Sequence, residues 1–238
     1  MKTLQLKLIS RFFLILIFPL QVLAVNFSGQ IFEINADTSK DTPLYKMKHE
    51  ETKEDDKVKF HNVYTYNDGK EAVVEDGELR GTDVISYHIS QKQLGAEGLV
   101  EVKDQQVKFT YKQKDHDPKD NKEKYVDNFV IGPSLNPYIK KNWQKLMAGE
   151  AVKVRLAVPD RRETVGFDLL KDKTSTDKQA IIKMKASSLV YSALVNPLYF
   201  TYLPDGTGMV EMRGRTQVKK QHDGRFSDLD AHTIYKPD

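Results

Sequence analysis

The sequence predicts a mainly β protein: a single curled antiparallel sheet, half-barrel or barrel, of about ten or more strands, with one amphipathic helix packed on its concave face. Three observations predict it. Apolar and polar residues alternate at period two along most of residues 25–238, the pattern of half-buried strands. Turns rich in Gly and Asp recur at short intervals, and short connections join antiparallel neighbours because a parallel pair needs a long crossover. One stretch, 137–148, switches to a spacing of three and four, the period of an amphipathic helix. A sheet of that many strands must curl, close or stack. One helix laid across the curl would cover its apolar face.

The elements follow in order. Residues 27–34 form the first strand, and 44–49 the second. In 58–66, Val58, Phe60, Tyr64 and Tyr66 share a face, with Asn62 as the exception. The polar stretches 36–42 and 50–57 read as loops. Strands at 71–75 and 82–91 flank Glu75-Asp76-Gly77, which reads as a tight turn like Asn67-Asp68-Gly69, Asp205-Gly206 and Asp223-Gly224. Strands at 99–103 and 107–111 precede an almost wholly polar stretch, 112–124, expected as a solvated hairpin tip. A strand at 125–131 leads into the helix. Asn136 can cap it, Pro137 suits its first turn and Gly149 can end it. Ile139, Trp143, Leu146 and Met147 make its apolar stripe. Strands at 152–158 and 164–170 follow, then a polar tip at 171–178 and a strand at 180–186. A second short helix fits 187–194 and is stopped by Asn196-Pro197. Strands at 199–203, 209–219 and 229–235 complete the series. No βαβ rhythm, repeat or linker interrupts it, so 25–238 reads as one β-rich domain.

The first 24 residues carry a separate message. Lys2, Lys7 and Arg11 precede an apolar run, and Val22-Leu23-Ala24 ends it with small or modest side chains. That order predicts a signal peptide cleaved between Ala24 and Val25. The run is short for a membrane span, which needs about 20 residues, so no span is expected after cleavage. Export without a single Cys excludes disulfides and thiolate metal sites, and predicts a periplasmic protein of a Gram-negative cell. Losing Lys2, Lys7 and Arg11 brings 37 Lys and Arg down to 34, equal to the 34 Asp and Glu. The charge of +3 therefore belongs to the leader, and nucleic acid is not an expected partner.

Catalytic signals are sparse. None of the six His residues pairs with another at HxH or HExxH spacing, so neither a metal site nor a catalytic residue is expected, and no cofactor. Asp115-His116-Asp117 sits in the predicted tip, where groups are not held in fixed geometry. Asp228 and Asp230 share a strand face, and Arg161-Arg162 lies in a charged turn. No GxSxG, P-loop or GxGxxG occurs. Aromatics offer more. Tyr191, Tyr199, Phe200 and Tyr202 cluster near the second helix, and Tyr138 and Trp143 lie on the first. With Ile139, Leu146 and Met147 they are the expected lining of an apolar ligand site between helix and sheet.

Several stretches carry a resemblance: YNDGK at 66–70, ISQKQLG at 89–95, NFVIGPSL at 128–135, NWQKLMAG at 142–149 and DLDAHTIY at 228–235. Most of residues 25–238 resembles a family of bacterial exported proteins of unknown function, similar in turn to the lipoprotein-carrier (LolA/LolB-like) half-barrel superfamily. The resemblance implies a curled sheet around an apolar concavity and the handling of a lipid or acyl chain. The resulting expectation is a periplasmic binding or carrier-like protein whose partner is an apolar small molecule or lipid. The alternatives are an envelope module that docks a protein partner, and a hydrolase with an unrecognised site.

Overall fold

The computed structural model describes residues 24–193 and 195–237. The expected signal, up to its last residue, lies outside the described residues.

The chain forms one 15-stranded, curled and unclosed sheet built as two arms. The first is a meander: β1 (Ala24–Glu33), β2 (Tyr45–Glu54), β3 (Lys57–Tyr66), β4 (Glu71–Arg80), β5 (Asp83–Gln91), β6 (Ala96–Lys103), β7 (Gln106–Lys112) and β8 (Lys119–Lys124). The second begins with β9 (Phe129–Val130), which lies parallel to β10 (Val152–Val158). It continues antiparallel through β11 (Glu163–Lys171), β12 (Ala180–Ala186), β13 (Leu198–Tyr202), β14 (Met209–His222) and β15 (Arg225–Pro237). β15 then pairs with β1 and joins the arms. The sheet ends at β8 and β9. Side chains tie the β8 edge to the other arm. Asn121 donates to the Arg162 carbonyl at 2.8 Å, and Glu123 accepts from the Thr164 N–H (3.0 Å) and hydroxyl (2.6 Å).

Between β9 and β10 run a 3-10 turn at Gly132–Ser134, α1 (Leu135–Lys141) and α2 (Trp143–Met147). Their Leu135, Ile139 and Leu146 are buried against Val154, Phe167, Leu169 and Met184, inward residues of β10–β12. Each such side chain stabilises the fold by about 1.5–3 kcal/mol. The helix thus sits on the concave face, as the spacing predicts. It differs from the expected continuous helix by a break at Asn142, where the backbone turns to φ −101 and ψ 14. The Asn142 amide donates to the Tyr138 carbonyl at 2.9 Å, competing with the helical ladder. Asn136 does not cap the helix. It lies inside the first turn and accepts from the Tyr202 hydroxyl at 3.0 Å. Gly149, with φ +86, follows its end. A short α3 (Leu189–Ser192) precedes β13.

Four further expectations are corrected. Residues 50–57 are not a loop: β2 and β3 pair down to Glu54 and Lys57, leaving Asp55-Asp56 as the turn. Both faces are solvated there, so the backbone ladder needs no apolar alternation, and Lys59 meets Glu54 at 2.8 Å. β8 emerges from the polar stretch 112–124 for the same reason, as an exposed edge strand of charge and amide side chains that resists further pairing. The expected strand at 125–131 shrinks to the two residues of β9, because turns at 127–128 and 132–134 bound it. Glu75-Asp76-Gly77 is not a turn. β4 runs straight through it, and the chain reverses at Gly81, φ +61. Gly77 is glycine because the Phe60 ring lies on it: a Cβ would stand 2.4 Å from Phe60 Cζ and 2.7 Å from the Ser86 carbonyl oxygen.

Candidate functional site

The curl leaves a cavity of about 800 Å³ between the arms, inside the usual range of small-molecule sites, about 300–1,000 Å³. Its two walls differ in chemistry. The second arm supplies an apolar wall: Leu156, Phe167, Met184, Leu198, Phe200 and Met212. The first arm and β15 supply a polar one.

The polar wall is built on strand register. His49 of β2 stands beside Asn62 of β3, which stands beside Glu75 of β4. Period two carries all three to the inner face, among Met47, Phe60 and Val73. All are nearly wholly buried, so their polar atoms must find partners. Asn62 Nδ2 donates to Glu75 Oε2 at 2.9 Å, Tyr64 donates its hydroxyl to the same oxygen at 3.0 Å, and Tyr87 donates to Oε1 at 2.6 Å. His49 Nδ1 lies 2.6 Å from Asn62 Oδ1. Since the Asn62 carbonyl oxygen can only accept, Nδ1 carries the proton. The other ring nitrogen, Nε2, lies 3.5 Å from Glu51. Phe27 stacks on the imidazole with centroids 4.2 Å apart, and Tyr235 meets Phe27 edge-on at 5.7 Å.

Burial raises the carboxyl pKa of Glu75 above its ordinary value, against the pull of its three donors, Tyr87 first. Burial, reinforced by the Glu75 charge, pushes Tyr64, Tyr87 and Tyr235 above the ordinary phenol value. Two hydroxyls of the cavity wall keep hydrogen-bonding capacity. Among the described residues the Tyr235 hydroxyl meets only the Met212 sulfur, at 4.0 Å, and the buried Thr233 hydroxyl has no partner.

One end of the cavity is bounded by the helix, through Leu135, Pro137 and Lys140. Next to Lys219 of the cavity lining, Gln93 braces the arms. Its amide nitrogen donates to Tyr45, Tyr66 and the Lys219 carbonyl, and its oxygen accepts the Lys219 N–H at 2.8 Å. Burial raises the Tyr45 phenol there to about 12, against the Gln93 bond. Beside it Arg215 binds both Asp228 and Asp230, the latter at 2.7 Å, and Lys219 meets Asp228 at 2.7 Å. Burial would raise both carboxyls, but these cations hold them below the usual range.

Of the nine aromatic and apolar residues expected to line a ligand site, Tyr191 and Phe200 face the cavity. Ile139, Leu146, Tyr138 and Tyr202 are packed between helix and sheet, and Trp143 stacks edge-on against Tyr202 at 5.3 Å. Met147 packs partly on the same cluster. Tyr199 receives Lys183 over its ring at 5.5 Å. The helical stripe therefore packs into the core, and the cavity opens beside it. Sequence reasoning missed His49, Asn62 and Glu75. The available signal was a polar residue on an otherwise apolar strand face, which Asn62 showed. Half-exposed His61 and His88 pair with Asp76 and Glu97 away from the cavity. His232 lies on the opposite face of β15 from Thr233, with Nε2 3.3 Å from Glu211. Among the described residues no group of three or more His, Asp or Glu is placed to hold a metal ion, and no helix is long and apolar enough to cross a membrane.

Comparison with protein-family models, with curated proteins and with solved structures gives no match.

Proposed function

We propose that this protein binds an apolar small molecule of lipid size in the cavity between its two arms, as a binding or carrier protein. The observation that carries the reading is the cavity of about 800 Å³ with one wall of Leu, Phe and Met side chains. An apolar chain laid on that wall leaves water, at about 25 cal/mol per Å² of buried area. The sheet's open curl gives such a molecule access without unfolding. The leader-like pattern at 1–24 and the absence of Cys support a periplasmic site of action.

Native mass spectrometry of the purified protein, with organic extraction of what it carries, tests the proposal. The expected result is an extractable apolar ligand, or uptake of an added long-chain alcohol, that Met212→Trp abolishes by filling the cavity. A protein that carries nothing and takes up no long-chain probe overturns it.

A further inference from the structure

The polar wall asks for a particular end group on that ligand. Glu75 is a nearly wholly buried carboxyl on the cavity wall, and among the described residues its three hydrogen bonds come from neutral donors. A buried carboxylate is costly without an opposite charge. The protein's own cations do not supply one. Arg215 and Lys219 are bound to Asp228 and Asp230, and Lys140 donates to the Thr207 carbonyl at 2.7 Å. Arg161 lies over the Tyr191 ring at 5.6 Å, and Lys236 is exposed. The field of His49, when protonated, reaches Glu75, but Asn62 stands between them. The nearby Glu51 adds a second acid on the same wall.

The spare oxygens point the same way. Tyr235 and Thr233 are residues of the cavity wall, and their hydroxyl oxygens accept no hydrogen bond among the described residues. An ammonium group has three N–H donors and no acceptor. It matches a carboxylate flanked by hydroxyl oxygens. A ligand carboxylate or phosphate would meet Glu75 and Glu51 with like charge instead.

We infer that the cavity selects a cationic amphiphile, an apolar chain ending in a protonated amine, held by Glu75 with the Tyr235 and Thr233 hydroxyls beside it. The inference rests on the cavity reading and adds the charge of the head group. The amine keeps Glu75 ionised, and the apolar wall takes the chain. Charge-assisted hydrogen bonds are about twice as strong as neutral ones, which sets the expected discrimination.

Isothermal titration of the full chain with dodecylamine, dodecanol and dodecanoate, below their micellar concentrations at neutral pH, provides the test. Dodecylamine is expected to bind at least about tenfold tighter than dodecanol, and dodecanoate most weakly. Glu75→Gln should bring the amine to within about threefold of the alcohol, each measured on the same variant. The ranking in the unaltered protein stands as a second readout that needs no variant to fold. Dodecanoate binding as tightly as dodecylamine overturns the inference, as does an amine preference that survives in a folded Glu75→Gln protein. If dodecanol binds and the amine gains nothing, the head-group inference fails and the cavity reading survives. If none of the three binds, both fall.

Discussion

Asn62 Nδ2 lies 2.9 Å from Glu75 Oε2, and this contact fixes the polarity of the whole cavity wall. An amide nitrogen can only donate, so the other end of Asn62 must accept, and it accepts from His49. Replacing Asn62 with Asp puts a second carboxylate against Glu75 and is expected to destabilise the fold by about 3 kcal/mol or more. Replacement with Leu leaves His49 Nδ1 without its partner and should cost about 1–3 kcal/mol. Urea unfolding of the two variants at neutral pH checks the order.

The pKa of Glu75 makes stability depend on pH. Its folded value is raised, so the proton stabilises the folded chain, and that contribution is lost as pH rises through the folded value. Stability of the ligand-free protein should therefore fall, relative to Glu75→Gln, as pH climbs from the ordinary carboxylate range. Denaturant midpoints of both proteins between pH 4 and 8 measure the difference. A difference that stays flat would contradict it.

Asp228 and Asp230 act in the opposite sense. Their folded values are lowered, so the stability they give is present above the ordinary carboxylate range and lost on acidification. Arg215→Met should make the protein less sensitive to acid while lowering neutral stability by less than about 1 kcal/mol, since these groups are partly solvated. Acid unfolding curves of the variant and the parent are the comparison.

Gly77→Ala is expected to cost about 1–3 kcal/mol or more, because its Cβ has no room beneath Phe60. Pairing it with Phe60→Leu should recover part of that loss. Equal additivity of the two substitutions in a double-mutant cycle would show that the ring is not what excludes the methyl group.

Gln93→Leu should loosen the brace between the two arms. It leaves the part-buried Lys219 N–H and the Tyr66 hydroxyl without the Gln93 bonds, at about 1 kcal/mol. Faster amide exchange confined to 216–219 and 91–94 is the expected signature.

Legibility of the fold in the sequence follows from what each signal reports. Strands such as 152–158 were readable because one face is buried and the other solvated, so Val152, Val154 and Leu156 alternate with Lys153 and Arg155. The distal half of β2 and all of β8 were not, because solvent meets both their faces and pairing leaves no apolar trace. Asp76-Gly77 looks like a hairpin turn to any local rule. Its glycine answers instead to Phe60, a contact across strands. The site was hidden for a related reason. His49, Asn62 and Glu75 are each a single polar residue on a different strand, 13 residues apart in sequence at each step, and only the register sets them side by side. The helical stripe was read correctly as apolar, but periodicity does not distinguish a packed core from a cavity lining.

The seam between β1 and β15 governs how the protein is made. Every other neighbouring pair in the sheet joins strands consecutive in sequence, so each arm can zip from its own connections. Glu33 opposite Ala231 is a contact across nearly the whole chain. Forming it requires closing that long loop against chain entropy, and such distant pairings slow folding. β1 is made first and finds its second partner last. Until the final strand arrives, one edge of β1 stays unpaired, a period in which the nascent chain depends on being kept from pairing with a neighbour.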